Sequence, residues 1–247
     1  MPIMKLVLGS AAGLVLLAAA GAAGWWFLIR DDVSPATEPA QIPRELVQAT
    51  ASASPAAVDS SGTTPAGGVL TFTVNSDLSE AAYFVDEELA SIGLPSTAKG
   101  TTNEVSGAFY LTADGTALAP GTSSQFTVDL RNLTSDKSMR DGRVQSALET
   151  SRYPSATFTI TGVSGYSPAI PEGQEQTLQL TGILDLHGVQ RETTWEVKAY
   201  RQGSAISALA TTTVSFVDFN VTAPTFAGLV SIDDKATLQV QLIAQLA

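Results

Sequence analysis

One histidine, thirteen lysines and arginines and no cysteine set the chemistry open to this 247-residue chain. His187 stands in Leu186-His187-Gly188-Val189, which reads as a tight turn between two strands. There it is either a general base or a brace that ties the turn through its ring nitrogens. No Gly-x-Ser-x-Gly elbow accompanies it. Serines and aspartates are too plentiful for counting to settle a Ser-His-Asp set. No catalytic residue is assigned, and no enzymatic activity is expected. Arg140-Asp141 is the second candidate. Arg140 can receive the polar headgroup of a ligand, or it can tie a helix to its neighbours by a salt bridge. The acidic runs Asp86-Glu87-Glu88 and Asp233-Asp234 lack the Asp-x-Asp-x-Asp-Gly order of a calcium loop and read as solvated edges. Without cysteine, thiolate catalysis, disulfides and Cys-based zinc sites are all excluded. A single histidine excludes a multi-histidine metal site. No metal or cofactor is expected. Asn132-Leu133-Thr134 and Asn220-Val221-Thr222 match the N-glycosylation pattern, which is frequent by chance.

The elements that must carry these residues are mostly strands. Leu70, Phe72 and Val74 alternate with Thr71, Thr73 and Asn75. Tyr83, Val85, Glu87 and Leu89 share one face of a second segment, and Val105, Gly107, Phe109 and Leu111 one face of a third. Phe126, Val128 and Leu130 follow, then Phe158 and Ile160, then Leu178, Leu180, Leu184 and Leu186. Trp195, Val197 and Ala199 continue the pattern, as do residues 206–215 and finally Leu238, Val240 and Leu242. Alternation against Thr-rich opposite faces is the signature of half-buried antiparallel strands. Eight or nine of them predict a sandwich or a barrel. Residues 135–150 break the period. Met139, Arg143, Val144, Ala147 and Leu148 fall at three- and four-residue spacing. This predicts one inserted amphipathic helix, with Ser135 as its cap and Asp136 in its first turn.

The net charge of −11 makes a nucleic-acid partner implausible on electrostatic grounds. Residues 6–29 carry no charge. As a helix of about 24 residues they would be ~36 Å long, enough to cross a ~30 Å hydrocarbon core. Lys5 before the run, and Asp31-Asp32 after Arg30, favour an N-terminus on the cytoplasmic side. A cleaved signal peptide ending near Ala20-Gly21-Ala22 is the competing reading. Trp25-Trp26-Phe27 carries the apolar run past that point and favours an anchor. Residues 1–30 are therefore read as a single-pass anchor and 67–247 as an extracytoplasmic domain at the cell membrane. Residues 31–66 are rich in Pro, Ala, Ser and Thr, and are read as a disordered linker.

Several motifs in the domain keep a definite order. Arg140-Asp141 is followed by Tyr153-Pro154 and Phe158. Next comes Thr181-Gly182-Ile183-Leu184-Asp185-Leu186-His187-Gly188-Val189-Gln190-Arg191. Asp218-Phe219 and Pro224 precede the terminal strand. In this order the chain resembles the YceI-like family of lipocalin-like β-barrels that bind polyisoprenoid lipids. The resemblance implies an all-β antiparallel barrel of about eight strands. It also implies a tunnel-like cavity holding a long apolar tail, with a quinone or carrier lipid as partner. The inward stripe of Phe72, Val85, Phe109, Phe126, Phe158 and Leu180 would line that cavity, and Arg140 would stand near the headgroup. Gly107 and Gly182, small residues within their strands, would favour open space. Patterning alone leaves the interior open or packed, because eight strands permit either. A cavity-free domain binding protein or cell wall is the alternative, and a hydrolase using His187 a lesser one. Oligomeric state is not legible.

Overall fold

A computed structural model of the chain describes residues 33–49, 68–89, 94–223 and 230–247. The charge-free run at 6–29 and Pro224 lie outside the described residues. Among those residues no helix is long and apolar enough to cross a membrane.

Among the described residues twelve strands follow the alternation. They are β1 (Val69–Val74), β2 (Glu80–Leu89), β3 (Leu94–Thr102), β4 (Val105–Thr112), β5 (Gln125–Asp129) and β6 (Thr134–Ser135), then β7 (Ser155–Ser164), β8 (Gln176–Leu186), β9 (Val189–Gln202), β10 (Ala205–Ser215), β11 (Val230–Ile232) and β12 (Lys235–Leu246). A short helix, α1 (Arg44–Ala49), precedes them, and α2 (Ser138–Ala147) separates β6 from β7. All pairings are antiparallel.

The sheet closes because two strand pairs are long and bent. β1 and β2 are halves of one run, broken by a 3₁₀ turn at Ser76–Leu78. β3 and β4 bend beside it at Asn103-Glu104. The C-terminal strand β12 pairs with β2 over 237–241 and with β1 over 244–246. Counting each bent run once and leaving aside the short β6 and β11, eight strands close on themselves through this last pairing. The bend is stitched by polar groups around the buried Ser79. Ser79 donates to the Asn75 carbonyl and accepts from the Ile243 amide, while Asn103 donates to the Ser79 carbonyl. Closure satisfies backbone groups that an open edge would leave to water or to another chain.

The alternation predicts the faces correctly. Leu184 and Leu186 are buried, whereas Asp185 reaches outward to Gln190. His187 (φ 55°) and Gly188 (φ 72°) form the two-residue β8–β9 turn. Both positive φ values match the strand twist in such hairpins. Gly182 does not open space as expected. A Cβ there would meet the Thr159 carbonyl oxygen and would lie 2.7 Å from the Phe158 ring. The missing side chain is already occupied by Phe158, beside a register shift in β7 between Ile160 and Gly162. Gly107 likewise (φ 143°) lets the backbone of Gln125 approach where a Cβ would collide.

The predicted helix is present but shorter than 135–150. Ser135 is not its cap. Lys137 holds the cap position and makes no side-chain cap hydrogen bond. Ser135 instead donates from both its amide and its hydroxyl to Asp141. That carboxylate reaches back out of the first turn, where negative charge is favoured.

Residues 33–49 also depart from the expected linker. Residues 36–42 run against the barrel's outer surface, with Ile42 buried. The Ala36 amide and carbonyl both bond the Gln239 side chain, at 2.8 and 2.9 Å. A segment without sheet partners must find other groups for its peptide bonds, and polar side chains of β9, β10 and β12 supply them here.

Candidate ligand-binding tunnel

The inward residues do not fill the barrel. A cavity of about 790 Å³ remains, and its wall reaches both ends. Phe109, Phe126, Phe158, Leu180, Trp195 and Leu238 form its middle. At one end it meets α2 through Arg140, Val144 and Ala147, together with Phe216 and Phe219. At the other it meets Gly115, Tyr166, Ile170 and Glu172. The cavity-free alternative is therefore not what the interior shows.

Five of the six predicted lining residues, Val85, Phe109, Phe126, Phe158 and Leu180, border this space, and so does Arg140. Phe72 is the exception. Its ring is fully buried and stacks flat on Phe109, with centroids 5.1 Å apart. The Arg201 guanidinium lies 5.6 Å from the same ring. Phe72 shares the inward face, but Phe109 and Arg201 pack against it, and it supports the wall rather than forming it. Phe158 packs on Trp195 at 5.5 Å and is held by the cradle at Gly182.

The charged groups of the lining stand at the rims. At the α2 end, Arg140 is held by Glu87 of β2 at 3.3 Å and by Asp136 one turn back. Both the Arg140 and Glu87 side chains are largely buried, at 17% and 11% exposure. Glu87 is thus not the solvated edge its acidic run suggested, because it pairs a cation inside the rim. Burial disfavours the Arg140 cation, but Glu87 and Asp136 outweigh it and hold the guanidinium more firmly protonated than usual. Burial also opposes the Asp136 charge. Hydrogen bonds and charge from Lys137 and Arg140 prevail and keep that carboxyl below its ordinary range. Tyr83 stands beside them with its ring over Gly100. Burial pushes its phenol up to about 12, against the opposing pull of Arg140.

The same rim continues around the barrel as a chain of contacts. β11 pairs Ile232 with Glu87, and the Asp233 amide donates to the Asp86 carbonyl. The Phe216 amide donates to the Asp234 carbonyl. His187 Nδ1 lies 3.0 Å from the Phe219 carbonyl oxygen, and its Nε2 lies 3.6 Å from Glu149, just past α2. Tyr153 meets the ring edge-on at 4.8 Å. Of the two readings of His187, the brace is the one this geometry describes. Asn220, in one of the glycosylation patterns, takes a left-handed φ of 54° that closes the 3₁₀ turn at Phe216–Phe219. The rim closure escapes sequence reasoning because its members are far apart in the chain. The only local trace is the Asp218-Phe219 motif.

Fold and site together define a class: a closed antiparallel barrel built around one apolar, end-to-end cavity, with charge at its rims. The chain belongs to the YceI-like domain family, whose model matches residues 72–244. A UPF0312 protein of Pseudomonas putida strain W619 is 32% identical over 151 residues, spanning 57% of this chain and 72% of that protein. Its counterpart in strain GB-1 matches to the same extent. Among solved structures, a polyisoprenoid binding domain from Saccharophagus degradans superposes with a TM-score of 0.54 at 17% identity, covering 72% of this chain and 99% of that one. Burkholderia cenocepacia BcnA superposes with a TM-score of 0.53 at 19% identity, covering 70% and 99%. At such identities the structural likeness speaks to the fold.

Proposed function

We propose that the barrel binds one long apolar lipid lengthwise in its tunnel, a polyisoprenoid such as a quinone or carrier lipid. The observation that carries this reading is the continuous apolar cavity of about 790 Å³. It falls within the roughly 300–1,000 Å³ of ordinary small-molecule sites, with its charged groups only at its ends. Burying ~400 Å² of a polyprenyl tail contributes on the order of 10 kcal/mol before ordering costs, with no charged group required. Membership of the YceI-like family and the fold shared with a polyisoprenoid binding domain support the same ligand class. The headgroup would rest at the α2 end, where Arg140, its partner Glu87 and Tyr83 are among the polar lining groups. The domain would be tethered by residues 1–30 at the outer face of the cytoplasmic membrane. There it would act as carrier, buffer or sensor of a membrane lipid.

The test is recovery of lipid per mole of purified chain by gentle extraction and mass spectrometry. The parent is expected to carry isoprenoid. Phe109→Trp should reduce the yield several-fold with circular dichroism unchanged, because added volume at the wall competes with the tail. An empty parent, or an equal yield from both proteins, would sink the proposal.

A further inference from the structure

The docked segment 33–49 gives the barrel a direction. Gln239 clamps Ala36 through both peptide groups and also donates to Thr211 of β10. One residue on, Lys198 donates to the Thr37 carbonyl. The Tyr200 hydroxyl donates to the Ala40 carbonyl and accepts from the Ile42 amide. Ser207, fully buried, donates to the same Ala40 carbonyl. Four residues separate Ala36 from Ala40, and four separate Thr211 from Ser207. The segment therefore lies extended and antiparallel to β10. Its contacts are to main chain, so they specify path and direction.

The direction matters for what precedes Ala36. Moving back along the segment leads from Thr211 toward Ser215, and from Gln239 toward Lys235. Those positions lie at the α2 end, where Phe216, Ala236 and Arg140 border the tunnel. From Gln239 to the start of β12 is about 13 Å, and residues 33–36 can cover about 10 Å of it. An undocked linker of 36 residues would let the barrel wander roughly 30–40 Å from its anchor and tumble. With Ala36 clamped, only residues 30–35 intervene after the charge-free run, a span of at most about 25 Å. The two most exposed large apolar side chains among the described residues, Val217 at 74% and Met139 at 71%, sit on the 3₁₀ turn and the helix of that same end.

We propose that residues 36–42 are a strap that turns the α2 end of the tunnel toward the lipid bilayer, with Met139 and Val217 entering its surface. This rests on the membrane-tethered, lipid-binding reading above. The mouth beside Arg140 is then the one through which an apolar tail passes from bilayer to tunnel.

The chain has no cysteine, so single cysteines report position directly. The full chain is placed in vesicles of phosphatidylcholine and phosphatidylglycerol containing spin-labelled lipid. Bimane is attached at Met139→Cys or Val217→Cys, and at Val69→Cys or Val163→Cys on the opposite end. Quenching should be several-fold stronger for the first pair. Adding Gln239→Ala and Tyr200→Phe should bring the two ends to similar values, with circular dichroism unchanged. Equal or reversed quenching in the strapped chain overturns the proposed orientation. An end-to-end difference that survives both substitutions overturns the role of the strap. A chain that does not stay with the vesicles overturns the orientation and the tether together, while isoprenoid recovered from it would leave the binding reading standing. Preferential quenching with no isoprenoid recovered would support the orientation and sink the ligand.

Discussion

Gly182 and Tyr83 show how single side chains are set by distant neighbours. Gly182 lies on an inward strand position where any larger residue would satisfy the hydrophobic pattern. It is glycine because the Phe158 ring already occupies the place of its Cβ. Gly182→Ala should therefore destabilise the barrel by about 1–3 kcal/mol through overpacking, read as a lowered midpoint in urea. Gly142→Ala, which meets open space on α2, provides the contrast and should be neutral or slightly stabilising. Tyr83 makes a pH-dependent contribution. Its phenol is raised to about 12 in the folded chain, mainly by burial, from an ordinary value near 10. Between these values the folded protein keeps a proton that the unfolded chain releases. Stability is thus fully present below about pH 10 and falls as pH rises toward 12. The loss attached to this group is roughly 2–3 kcal/mol, at about 1.4 kcal/mol per unit. Denaturation of the parent and Tyr83→Phe across this window should show the steeper decline in the parent. Parallel curves would mean that the phenol is not desolvated.

At the scale of elements, strand register decides what each position can tolerate. β8 turns Leu184 and Leu186 inward and Asp185 outward, in pairing with Arg191, Val189 and Gln190 of β9. Leu184→Asp should cost on the order of 4 kcal/mol or abolish soluble yield, since it puts a carboxylate at a buried apolar position. Asp185→Ser should cost less than about 1 kcal/mol, because only its exposed bond to Gln190 is lost. Equal melting temperatures for the two variants would show the register to be shifted by one. The helix is governed differently. α2 has no fully buried residue and is held through its first turn, by Arg140 to Glu87 and by Asp141 to Ser135. Its apolar spacing predicts a helix at that place. Its cap and exact bounds depend on polar partners that the spacing does not reveal.

The whole molecule depends on one closure. β12 is shared between β2 and β1, and its last residues seal the barrel by pairing Ala244, Gln245 and Leu246 with Val74, Thr73 and Phe72. Ile243 and Ala244 are almost completely buried, and the Ile243 carbonyl accepts from the Asn75 amide at the strand bend. Deleting residues 243–247 should therefore remove far more than a fraying terminus. The expected result is loss of a single cooperative thermal transition, with surface exposed to a hydrophobic dye. A truncated chain that melts cooperatively within a few degrees of the parent would show that the barrel does not need this seam.

Alternation of Leu, Phe and Val against Thr and Gln determined the strands, their inward faces and the all-β class, because a period of two has only one way to bury an apolar face. Absence of cysteine and the single histidine limited the chemistry, and the order of short motifs carried the family resemblance. Tertiary structure decided whether the inward face met itself or left a space, which depends on the closed circumference rather than on any local pattern. It decided that Phe72 would stand behind Phe109, and that Glu87 would leave an acidic run to pair with Arg140. It also drew residues 33–49 out of a linker-like composition onto the wall. Each of these rests on groups tens to hundreds of residues apart, whose meeting is a property of the closed sheet and not of the segments that compose it.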